Sequence, residues 1–178
     1  MKKTTKLIVF LLLACMFPFI GCNDTNDGSY VEPITLYEKV NGSWSLTGIV
    51  QIDETAKVSG IKPDEISLYD QFGFDSFSLS LNVDAQNRPT SYQVSGTAPE
   101  LFSNSGYWDL DTEFPYASGA APTINLYSDA GKTTLVGQLS IVSIPGATPA
   151  MELKLTRSSA GVVFVSYNYQ LSKNLSIK

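Results

Sequence analysis

The sequence predicts an all-β domain, an antiparallel up-and-down barrel of about eight strands with one short N-terminal helix. Three observations carry that prediction. Polar and apolar residues alternate strictly in several runs; in "SFSLSLNV" (76–83), Phe77, Leu79, Leu81 and Val83 share one face and serines with Asn82 the other. The runs are separated by turn chemistry, "DAQNRPT", "SDAGKT", "IPGATP" and "RSSAG", each combining Gly, Pro, Asn, Asp or Ser. Helical signals are few and short. A barrel hides the exposed edges that an open sheet would leave, and a β-sandwich is the competing closure.

Taken in order, the chain begins with Lys2, Lys3 and Lys6 and an uncharged apolar run from Leu7 to Ile20, the layout of a secretory signal. The run is shorter than the roughly 20 apolar residues of a spanning helix. Phe19, Ile20 and Gly21 then precede Cys22, which resembles the lipobox of bacterial lipoproteins, although Phe19 stands where that motif usually has leucine. The resemblance implies cleavage after Gly21 and acylation of Cys22. The alternative is an ordinary secretory signal with an incidental cysteine. Residues 22–29, with Asp24 and Asp27 and almost nothing apolar, read as an acylated tether, and 30–178 as the barrel domain. An acidic run just after the lipidated cysteine resembles the export signal of lipoproteins on the outer face of the outer membrane, so the expected address is the outer membrane and the cell surface.

In the domain, "EPITLYEKVNG" places Pro33 in a first turn and Gly42 as a stop, a helix over 33–40. Strands follow at 44–52 and 76–83. Between them "KPDEISLYDQFG" offers helix grammar, with Ile66, Tyr69 and Phe72 at helical spacing. Further strands are expected at 90–96, 105–111, 123–127 and 134–143, with "APELF" (98–102) adding a helical turn. "AMELKLTR" turns Met151, Leu153 and Leu155 inward. "GVVFVSYNYQL" is expected to put Val163, Val165, Tyr167, Tyr169 and Leu171 on the core face.

Composition narrows function. Three of the 12 basic residues and no acidic one leave with the signal, so the mature chain carries 9 bases against 17 acids, a net charge of −8. That excludes nucleic acid as an expected partner, because phosphates demand a basic stripe. The chain has no histidine, and the one mature cysteine is assigned to lipid. No Ser/His/Asp or Cys/His nucleophile and no Cys/His zinc site can be assembled. No catalytic residue, metal ligand or cofactor is assigned.

Two tryptophans carry the remaining signal. "NGSWSLTG" (41–48) and "SGYWDLDTE" (105–113) share a G-x-W-x-L pattern at the start of a strand. The first resembles the opening strand of lipocalins. With the lipobox, the short helix before Gly42, and the "INLYSD" and "MELKLTR" strands, the chain resembles the lipocalin-like lipoproteins of Bacteroidetes, a family of unknown function. The resemblance implies a fold and an address, with Trp44 as a plug across the closed end of the barrel.

The candidate ligand site is Trp108 with Tyr107 and Tyr116, aromatic faces suited to a sugar ring or an apolar molecule; the competing role is core filling. Asp109, Asp111 and Glu113 alternate to one strand face. They could hold Ca²⁺ or act as a glycosidase pair, but they lack the D-x-D-x-D-G grammar of a calcium loop and read as a solvated outer wall. "GKTT" (131–134) lacks the upstream glycine of a phosphate loop and reads as a turn. Three function classes remain: a lipid-anchored, non-enzymatic module binding a small apolar or glycan ligand or an envelope partner; a structural or interaction lipoprotein with a filled barrel; and, last, a carboxylate-based glycosidase.

Overall fold

A computed structural model describes residues 31–174. The signal-like segment, Cys22 and the tether lie outside the described residues, as do 175–178. The compact unit begins at Ile34.

Helix α1 (Leu36–Val40) opens it. Thr35 rather than Pro33 sets its start, because its hydroxyl accepts from the Glu38 N–H at 3.2 Å while the Glu38 carboxylate accepts from the Thr35 N–H at 2.8 Å. The strands are β1 (Gly42–Asp53), β2 (Glu65–Ser67), β3 (Ser78–Val83), β4 (Pro89–Ser95), β5 (Ser105–Leu110), β6 (Thr123–Tyr127), β7 (Leu135–Ser143), β8 (Ala150–Ser159) and β9 (Val162–Lys173). All pairings are antiparallel, β3 to β9 follow one another in order, and β9 returns to β1, so eight strands close a barrel with β2 as an extra strand beside β1. The expected all-β barrel is what the chain forms.

The antiparallel order fixes which loops share an end. The near end, where the chain enters, carries α1, the turn 84–88 and the loops 111–122 and 144–149. The far end carries the β1–β3 connection, the loop 96–104, and the turns 128–134 and 160–161.

The inward positions of the alternating runs form one core: Leu79 and Leu81, Ile124 and Leu126, Leu139 and Ile141, Met151, Leu153 and Leu155, Tyr169 and Leu171. Glycine appears in each G-x-W motif for a physical reason. Gly42 sits at φ +112°, and a Cβ on Gly106 would collide with the Tyr127 carbonyl oxygen and the Tyr92 ring.

Three expectations are corrected and one helix is added. "KPDEISLYDQFG" is not a helix: it supplies β2 and then turns, with Ile66 and Phe72 exposed and Leu68 and Phe74 buried instead. The Lys62 ammonium, 2.6 Å from the buried Asp64 carboxylate, and the Asp53 N–H donating to the Asp64 carbonyl hold the segment extended along β1. "APELF" is an irregular loop, not a helical turn. Val163 is exposed, because β8 and β9 run past the end of β1 and a bulge at Arg157/Ser158 shifts the register there. Helix α2 (Glu54–Val58) was not foreseen, although Asp53, whose carboxylate accepts from the Ala56 N–H at 2.8 Å, is an N-cap signal that could have found it.

Candidate functional site

The three aromatic candidates do not share a surface. Trp108 is fully buried, its ring 6.2 Å from that of Tyr37 and its indole N–H donating to the Asn82 carbonyl at 2.8 Å. It offers no face to solvent. Tyr107, its neighbour on the strand, points to the opposite side of the wall and is half-buried. Tyr116 lies in the loop 111–122, partly exposed, where burial and then the Asp111 carboxylate raise its pKa. Trp44 is also fully buried. Its indole N–H donates to the Val40 carbonyl, and the Lys173 ammonium lies 5.4 Å from its ring centroid.

The three acids lie on the outer side, with Asp111 and Glu113 exposed and Asp109 half-buried, and two of their carboxylates are engaged. Asp109 accepts from the Tyr37 hydroxyl at 3.1 Å on one oxygen and from the Lys132 ammonium at 2.9 Å on the other. Lys132 also donates to the Pro89 carbonyl at 3.0 Å. Burial first, and the Asp109 charge next, push the Tyr37 pKa up to about 12. Asp111 accepts from the Thr123 N–H at 2.8 Å, and the Glu113 main-chain carbonyl accepts from the Leu36 N–H at 2.9 Å. These contacts clasp α1 and the loop 111–122 to the near end. Among the described residues no group of three carboxylates, histidines or cysteines is placed to hold a metal ion.

One serine lies beside a carboxylate. The Ser166 hydroxyl donates to Glu54 at 2.6 Å, and the Lys154 ammonium donates to the same oxygen at 2.8 Å. The hydrogen bonds from Lys154 and Ser166 hold the Glu54 pKa below the usual carboxylate range. A serine acting as nucleophile must reach substrate and hand its proton to a base, whereas Ser166 is fully buried under α2. This trio docks a helix.

The far end holds the other notable cluster. Phe77, Phe102 and Tyr169 stack mutually at centroid distances of 5.5 to 6.4 Å. Phe102 comes from the loop 96–104, and the Arg157 guanidinium, from β8, donates to the Leu101 carbonyl on the same loop. A cavity of about 20 Å³ lies against the loop, between Phe77, Val94 and Leu101. Among the described residues the buried Tyr92 hydroxyl has no well-formed hydrogen bond; the Ser103 hydroxyl near it donates to the Ser105 carbonyl. An open cleft of about 300 Å³ lies at the β8–β9 wall by Met151, Glu152 and Gln170.

A family model described as Domain of unknown function (DUF5004) matches residues 21–172. No curated protein and no solved structure matches the chain.

Proposed function

We propose that this chain, which belongs to the DUF5004 family, is a non-enzymatic lipoprotein, held in the outer membrane through Cys22 and displayed at the cell surface, whose barrel is an interaction module for a protein partner. The single observation that supports the interaction role is the interior: Trp44, Trp108, Tyr92 and Tyr169 are each no more than 2% exposed and occupy the space a ligand would need. The lipid anchor rests on the basic start, the apolar run and Gly21 before Cys22. The non-enzymatic reading rests on the lack of histidine and on the burial of Ser166.

The test is native mass spectrometry of the mature protein extracted from the membranes of its own host. The expected species is the diacylated or triacylated chain with no further small molecule. A retained molecule at one per chain overturns the interaction role. For the anchor, palmitate labelling is expected in the parent and lost in Cys22→Ser; persistent label overturns it.

A second reading is favoured by the Tyr92 hydroxyl. A small apolar molecule carrying one hydrogen-bond acceptor would satisfy that group if the loop 96–104 lifted Phe102 away from Phe77 and Tyr169. The same mass measurement, repeated after incubation with a panel of fatty acids and glycans, supports this reading if one of them is retained.

A further inference from the structure

The wall between β7 and β8 is closed only at the near end. Their ladder runs through Ser143↔Glu152, Ile141↔Leu153 and Ser140↔Lys154 and stops. Both strands continue toward the far end. β7 is held by β6 as far as Leu135↔Tyr127, and β8 is held by β9 as far as Ser159↔Val162. The stretches 135–139 and 155–159 therefore each keep one paired edge and one edge that no described strand pairs. Leu139 and Leu155 stay buried beneath the seam, while Leu135, Val136, Gln138 and Thr156 to Ser159 are exposed.

Proteins usually blunt such edges with lysine, proline or a covering segment. Here 135–139 reads Leu-Val-Gly-Gln-Leu, without charge or proline. The facing stretch has one charge, Arg157, and its guanidinium is drawn aside to the Leu101 carbonyl. The same barrel shows what closes a gap of this kind. β1 parts from β3 after Ser45, and beyond the split the extended segment Glu65–Ser67 adds to β1 as β2, Val50↔Ser67 through Ile52↔Glu65.

We infer that the β7–β8 seam is a β-addition site that takes an extended strand of a partner protein. The inference rests on the interaction role proposed above and names its surface. Main-chain N–H and C=O groups spaced along an edge are complementary to another extended main chain and to little else. The last described residue points away from the site, since the Asn174 N–H donates to the Ser43 carbonyl at the near end. The formal charge of −8 on the mature chain, 9 bases against 17 acids, opposes pairing with a second copy.

The test is amide hydrogen exchange on the full mature protein in detergent, with and without a fluorescein-labelled heptapeptide of alternating threonine and valine. Without peptide, 135–139 and 155–159 are expected to exchange faster than the paired ladder at 140–143. With it, both stretches slow, fluorescence polarisation shows saturable binding, and the exposed-site variant Val136→Lys with Ser158→Lys binds about tenfold more weakly or less, at an unchanged melting temperature. Exchange at the seam that the peptide does not change overturns the inference. So does a seam already slow in the peptide-free monomer, which means that a segment of this chain fills it, and so does slowing that grows with protein concentration, which means a second copy. A small molecule retained in the mass measurement would sink the interaction role and leave the peptide result to be judged by itself.

Discussion

The indole N–H of Trp44 donates to the Val40 carbonyl at 2.8 Å, so the last residue of α1 is fastened to the third residue of β1 inside the core. A five-residue helix is far too short to persist alone. Its place at the near end depends on this bond, on the capping box, and on the buried side chains of Leu36 and Val40.

Trp44→Ala is therefore expected to lower the unfolding free energy by about 3–5 kcal/mol, the range for deleting a large buried aromatic. Trp44→Phe keeps most of the packing but orphans the Val40 carbonyl, at about 1–3 kcal/mol. Calorimetry on the two variants checks both. A Trp44→Phe variant as stable as the parent would show that the hydrogen bond contributes nothing.

Tyr37 predicts an alkaline response. Its folded-state pKa is raised from 10 to about 12, so the neutral phenol is the form the fold favours. The associated stability is fully present below pH 10 and is lost as pH rises from 10 through about 12. Phenolate absorbance should show a step near pH 12 that Tyr37→Phe removes. An unchanged titration curve in that variant would detach Tyr37 from Asp109.

Glu54 predicts an acid response of the opposite sign. Its pKa is depressed, chiefly by the Lys154 hydrogen bond and then by Ser166, so its contribution is present above the ordinary carboxylate range and lost as pH falls through the depressed value. Glu54→Gln should cost about 1–3 kcal/mol near neutrality. In strong acid, urea unfolding of parent and variant should coincide. A constant difference across the whole range would mean that packing of α2, not the charge, carries the effect.

Asp109→Asn with Asp111→Asn tests the acids as a group. The double variant should lose about 1–2 kcal/mol through the Lys132 pair and the lost charge-assisted hydrogen bonds, and the Tyr37 titration should move back toward 10. Neither the parent nor the variant should show a calcium-dependent rise in melting temperature. A rise seen only in the parent would assign a cation site to these residues.

The sequence by itself determined the eight barrel strands, because strand formation there follows a local period. Alternation put Leu79, Leu81, Met151, Leu153 and Leu155 inside and Asp109 outside, and turn residues cut the text at the right places. The buried state of both tryptophans follows from the same alternation once a barrel is assumed. Tertiary structure alone decided what lies far apart in the chain. Tyr37, Asp109 and Lys132 meet only because α1 folds onto β5 and the turn 128–134 reaches back across the wall; no spacing in the sequence encodes that meeting. "KPDEISLYDQFG" has a helical period but serves as an added strand, because β1 parts from β3 and offers an edge to fill. Val163 has strand alternation but no barrel on its inner side, because β1 ends at Asp53, beside Val165, before the hairpin does. The open seam between β7 and β8 is of the same kind: alternation says which face of each strand is wet, while the registers of the closed barrel say which edges are left without a partner.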